Sequence, residues 1–108
     1  MKLFVGLDVS LEKTAICVVS EHGKIEREAQ AVSEPEALTR WMGNLDGTIA
    51  AIGLEAGPLS QWLHRGLTEA GLDVVLMETR QVKGALKAMP IKTDRRDAEG
   101  IARLLHLG

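Results

Sequence analysis

The sequence predicts an α/β domain with a five-stranded mixed sheet in the order 3-2-1-4-5, flanked by helices. Three observations carry that expectation. Residues 3 to 9 are apolar on both alternating faces, as in a central strand covered on both sides. Residues 24 to 31 alternate polar and non-polar positions after a Gly-containing turn, as in the exposed outer strand of a meander. Residues 48 to 77 read strand, helix, strand at the spacing of a right-handed crossover between parallel strands.

Taken in order, Leu3, Val5, Leu7 and Val9 alternate with Phe4 and Gly6 in the first strand, and Asp8 places a charge at its end. A second strand spans residues 13 to 20, ending at Glu21-His22-Gly23-Lys24, where Gly23 supplies the positive φ of a tight turn. Ser33 and Glu36 have capping-box spacing around Pro35, so a helix is expected to open there and to bury Leu38, Trp41, Met42 and Leu45. Residues 48 to 54 form an almost wholly apolar fourth strand, ending at Glu55. Pro58 marks the start of a second helix with Leu59, Trp62, Leu63, Gly66, Leu67 and Ala70 on one face and Gly71 as its stop. A fifth strand covers 72 to 77, and a third helix covers 79 to 89, with Val82, Ala85, Leu86 and Met89 on one face. After Pro90 a last helix is expected from Thr93 to Leu107, burying Ala98, Ile101, Ala102 and Leu105.

A chain of 108 residues suffices for one core, so residues 1 to 108 are expected to form a single domain. No apolar run approaches the ~20 residues of a membrane span, and the N-terminus reaches Asp8 too early for a secretory leader. A cytoplasmic protein is the expectation. Cys17 is single, cannot form an internal disulfide, and reads as a small core residue. Trp41 and Trp62 read as packing residues, and His22, His64 and His106 have no partner at ligand spacing.

The net charge of −2 is unevenly distributed: residues 80 to 108 hold seven basic and three acidic side chains, a net of +4, which leaves −6 for residues 1 to 79. Such a rim suits a polyanion, and Lys83, Lys87, Lys92, Arg95 and Arg96 are the candidate nucleic-acid contacts. With no Tyr and one Phe there is no aromatic platform for stacking bases, so the contact would run through phosphates.

Inside that basic segment lie Asp94 and Asp97, three apart and therefore on one helix face. The same face carries Ala98, Ile101 and Leu105, so the two acids are expected to point toward the sheet. Asp8 and Glu55 end two strands expected to be parallel neighbours, and sites in open α/β sheets form at such carboxyl ends. Four converging carboxylates repel one another unless a cation or protons neutralise them. Oxygen-only donors select hard ions, Mg²⁺ or Mn²⁺, and paired ions of this kind serve phosphoryl transfer. Acids in a first helical turn also act as caps, so a non-catalytic interaction module is the competing reading.

Val5-Gly6-Leu7-Asp8-Val9-Ser10 followed by two β segments resembles the start of a ribonuclease H-like domain. Gly53-Leu54-Glu55-Ala56-Gly57 and Lys92-Thr93-Asp94-Arg95-Arg96-Asp97-Ala98 resemble its second and third acidic motifs. Together they resemble the N-terminal catalytic domain of DEDD-type insertion-sequence transposases, relatives of the Piv invertase and, more distantly, of the RuvC Holliday-junction resolvase. The resemblance implies that Asp8, Glu55, Asp94 and Asp97 fill the DEDD positions and bind Mg²⁺, with Mn²⁺ as a substitute. It implies DNA cleavage and rejoining at mobile-element ends. It further implies a second, serine-bearing C-terminal domain in the full-length protein, partnership with a guide RNA, and homo-oligomers. Ser10, Ser20, Ser33 and Ser60 match no such serine motif, so the chain is expected to be a fragment of a longer transposase. Two enzyme alternatives are a standalone RuvC-like nuclease and an actin-like sugar or acetate kinase fragment. The kinases usually carry a glycine two residues after the strand-end Asp, where this chain has Ser10.

Overall fold

Strand β1 (Lys2–Val9) lies at the centre of the sheet, as expected of a run apolar on both faces. The computed structural model of the chain describes residues 1–88 and 96–107. On one side β1 pairs antiparallel with β2 (Lys13–Ser20), and β2 pairs antiparallel with β3 (Ile25–Val32). On the other it pairs parallel with β4 (Thr48–Glu55), and β4 pairs parallel with β5 (Val74–Met77). The resulting order, β3-β2-β1-β4-β5, is the predicted one. Gly23 adopts φ +82° in the β2–β3 turn, where the Ser20 hydroxyl accepts the His22 and Lys24 amides.

Helices α1 (Pro35–Met42) and α2 (Ser60–Glu69) cover one sheet face, and α4 (Arg96–Leu107) lies on the other with α3 (Thr79–Ala88) beside it. Leu3, Val5, Leu7, Ile16, Val18, Ile52 and Leu54 meet Leu38, Met42, Leu63 and Leu67 in the main core. Burial of each such side chain is worth roughly 1.5–3 kcal/mol. The α4 face is built from smaller groups: Cys17 and Val19 against Ala98 and Ala102, and Met77 and Val82 against Ile101.

Three local expectations are corrected. Ser33 does not cap α1; the cap position is Glu34, with no side-chain bond. Ser33 is instead buried, and its hydroxyl donates to the Ser10 carbonyl at 2.6 Å. Its proton being committed, the hydroxyl accepts from Thr14 at 2.8 Å. An internal polar network has won over local capping. Helix α2 begins at Ser60, with Pro58 in the preceding turn. Its fully buried stripe is Leu63 and Leu67, which leaves Trp62 49% exposed rather than packed. Trp41 is half-buried, with the Arg27 guanidinium 5.0 Å from its ring centre. No helix of the described residues is long and apolar enough to cross a membrane.

Candidate metal centre

Asp8 and Glu55 are brought together by strand register. The parallel pairing of β1 with β4 runs to Leu7↔Leu54, so the next residues, Asp8 and Glu55, stand side by side at the carboxyl ends of adjacent strands. Such strands are about 4.8 Å apart. This match depends on an irregularity absent from any local pattern. Leu3 pairs with Ile49 but Phe4 pairs with Ala51, so Ala50 is an extra residue on β4. Without that bulge the register would set Asp8 beside Leu54, and a one-residue slip also turns side chains to the opposite face.

Asp97 arrives from the other direction, in the first turn of α4 and half-buried. Burial pushes the Asp8 carboxyl above its ordinary value of 3.8, and the charges of Asp97 and Glu55 push it further the same way. Ion pairs among the described residues join Arg80 to Glu78 and Arg103 to Glu99; none reaches Asp8, Glu55 or Asp97. Three carboxylates thus share one field with no ion-pair partner among the described residues. The donor set is all oxygen, which fits Mg²⁺ or Mn²⁺ and not zinc. Among the described residues no group of three or more His, Cys, Asp and Glu side chains is closed tightly enough to hold an ion. Asp94, the fourth predicted acid, lies outside the described residues.

Two clefts meet at Asp8. One, of about 530 Å³, extends over β2 and β3 past Ser10, Lys13, Cys17 and Gln30. The other, of about 300 Å³, lies between the loops after β1 and β4, lined by Leu11, Glu55, Gly57 and Ser60. Among the described residues the site is therefore open on both sides of its central carboxylate. Lys13, at one cleft wall, was not among the predicted contacts; its only sequence signal is its place at the start of β2. Of the predicted basic residues, Lys83 and Lys87 are exposed on α3. Lys92, Arg95 and the Arg96 side chain lie outside the described residues.

Cys17, Ser60 and His106 have structural surroundings. Burial drives the Cys17 thiol up to about 12, far from thiolate formation at neutral pH. Ser60 donates to the Gly57 carbonyl at 2.8 Å and accepts the Gly57 amide, shaping the β4–α2 turn. Nε2 of His106 lies 2.8 Å from the Glu21 carbonyl, and its ring meets Phe4 edge-on at 5.5 Å.

Solved structures of similar fold include Thermus thermophilus RuvC in complex with a Holliday junction substrate. That likeness has a TM-score of 0.66 and 14% identity over 94% of this chain and 90% of that one. Another is Thermus thermophilus RuvC itself, with TM-score 0.66 and 16% identity over 98% of this chain and 96% of that one. A ROK family transcriptional regulator, homologous to the E. coli MLC protein, is more distant, with TM-score 0.53 and 11% identity over 80% of this chain but 30% of that one. These likenesses establish the ribonuclease H-like, RuvC-type fold. No curated protein matches the sequence. The model of the DEDD-type IS110 transposase family, described as a transposase, matches residues 5–108, and the chain belongs to that family.

Proposed function

We propose that Asp8, Glu55, Asp94 and Asp97 hold Mg²⁺, with Mn²⁺ able to replace it, and that this centre cleaves and rejoins DNA strands in transposition. One observation supports the reading above the others. Asp8, at the carboxyl end of the central strand, has its charge opposed by burial, Asp97 and Glu55, with no basic partner among the described residues. Membership of a transposase family and the RuvC-type fold support DNA cleavage as the general activity.

When bound, divalent ions neutralise charge at the scissile phosphate and activate the attacking oxygen. The chain's own part is positional. Adjacent strands hold Asp8 and Glu55 with little freedom, while α4 carries Asp97 toward them. Lys83 and Lys87 offer exposed positive charge for DNA phosphates, and Lys92, Arg95 and Arg96 are proposed to extend that track. A serine-bearing second domain, a guide RNA and homo-oligomers are carried by the family resemblance, and they enter the proposal for the full-length protein.

The test is strand cleavage of labelled branched and element-end DNA in Mn²⁺, with Asp8→Asn and Glu55→Gln beside the parent chain. Cleavage lost in both variants supports the assignment; cleavage retained in both sinks it. Joined products identify recombination. Cutting of branched DNA without joining favours the standalone RuvC-like nuclease, the reading suggested by the similarity to RuvC.

A further inference from the structure

The α4 face of the sheet has two glycines lying directly against the helix. Gly6 on β1 and Gly53 on β4 are direct partners across the parallel pair. Each precedes its strand-end acid by two residues, so each lies on the same sheet face as that acid. A methyl group on Gly6 would overlap the Ala98 carbonyl oxygen outright and come 2.6 Å from the Ala102 nitrogen. Both are backbone atoms and cannot rotate aside. A methyl group on Gly53 would meet Ile101 Cγ2 at 2.8 Å, Leu105 Cδ1 at 3.0 Å and Met77 Cε at 3.1 Å, all ends of side chains. The backbone of α4 therefore rests on bare β1 backbone at Ala98, the residue after Asp97.

The opposite end of α4 is held separately. The Arg103 guanidinium donates to the Gly23 carbonyl at 3.0 Å and to Glu99 at 2.7 Å, and His106 is bonded to Glu21 and packed on Phe4. With residues 103 to 106 tied to the β2–β3 turn, any group wedged beneath Ala98 tilts the helix about that tie. The end that lifts is the one bearing Asp97.

We infer that Gly6 and Gly53 are positioning residues for the metal centre: their missing side chains set how near the α4 acid comes to Asp8 and Glu55. This rests on the metal reading proposed above. Metal ligands must hold their distances within ~0.2 Å, whereas a methyl inserted at Gly6 displaces α4 by several times that. The glycines touch no ion, and their effect passes through Asp97.

The experiment is Mn²⁺ binding, read as the loss of the free-ion electron paramagnetic resonance signal. It uses the parent chain, Gly6→Ala, Gly53→Ala and Gly66→Ala. Gly66 is the control: a methyl there would collide with Pro35 between α1 and α2, on the opposite sheet face. The folded fraction of each variant is measured by circular dichroism, and affinity is expressed per folded molecule. Gly6→Ala is expected to weaken Mn²⁺ by about tenfold or more, the scale seen when groups supporting metal ligands are removed, and Gly53→Ala, whose clashes are with movable side-chain ends, by a smaller factor of about threefold. Gly66→Ala is expected to bind as the parent does, whatever its stability. If Gly6→Ala does not fold, Gly53→Ala decides: parent-like binding in that variant overturns the inference. So does an equal loss in Gly66→Ala, which would make the effect one of general stability. A parent chain with no Mn²⁺ affinity overturns the metal reading and the inference together. Parent binding with parent-like glycine variants overturns the inference alone.

Discussion

The two faces of the sheet are built on opposite rules. Toward α1 and α2, Leu, Ile and Val interdigitate and fill space. Toward α4, glycine and alanine let backbones approach, and carboxylates occupy the strand ends. The first arrangement maximises buried apolar area, so it carries most of the stability. The second gives up that area to bring Asp97 within the field of Asp8, whose ionised form is itself disfavoured. Stability and site geometry are thus assigned to different sides of one sheet, and changes on one side should leave the other largely alone.

The largest expected effect separates the faces on stability. Leu63→Ala removes a fully buried side chain from the α1/α2 side and should cost about 3 kcal/mol in urea unfolding. Mn²⁺ affinity per folded molecule should not change; a parallel loss would break the division. A smaller cost is expected for Ser33→Ala, which strands the Thr14 hydroxyl and the Ser10 carbonyl. About 1–2 kcal/mol should be lost, with faster amide exchange at Ser10, whose nitrogen donates to the Lys13 carbonyl. Replacing both Lys83 and Lys87 by Ala should leave stability nearly unchanged. The slope of log affinity for DNA against log salt should flatten by about one unit for each phosphate that the variant no longer neutralises. An unchanged slope would remove α3 from the nucleic-acid track.

A stability effect of the opposite sign is expected at Asp8. Because the folded-state pKa of Asp8 is raised above 3.8, its ionised form opposes folding at neutral pH. That penalty is full above the raised value. It disappears below 3.8, where the carboxyl is protonated in both folded and unfolded chains. Asp8→Asn should therefore raise the melting temperature near neutral pH, with the gain shrinking as pH falls through this window. A lower melting temperature for Asp8→Asn at neutral pH would mean that the carboxylate has a stabilising partner and is not held against its own charge.

The strand order was legible because each strand announces its surroundings. Residues 3 to 9 are apolar on both faces, residues 24 to 31 alternate, and Gly23 supplies the turn between β2 and β3. Asp8 and Glu55 were legible as site candidates because a charge closing an apolar strand has a desolvation cost that calls for a reason. Their mutual register was not legible. It depends on the Ala50 bulge, and the apolar run through residues 49 to 52 gives no local sign of an extra residue. Nor was the pairing of Gly6 with Gly53, since a glycine's use in close approach shows only when the opposing backbone is in place. Ser33 misled for a related reason. Capping-box spacing is a contact within one segment, whereas the observed partners, Ser10 and Thr14, are 23 and 19 residues away. Trp62 failed the packing expectation because α2 starts at Ser60 and its buried stripe runs through Leu63 and Leu67.

The most direct test of the central claim is a Mn²⁺ titration followed by paramagnetic broadening of backbone amide signals, on the parent chain and on Asp8→Asn. One shared centre predicts selective broadening around residues 8, 55 and 97 at the lowest Mn²⁺ concentrations, lost together in the variant. Broadening scattered over exposed acids such as Glu12, Glu36 and Glu69, or persisting unchanged in Asp8→Asn, would contradict a metal centre at the meeting of β1, β4 and α4.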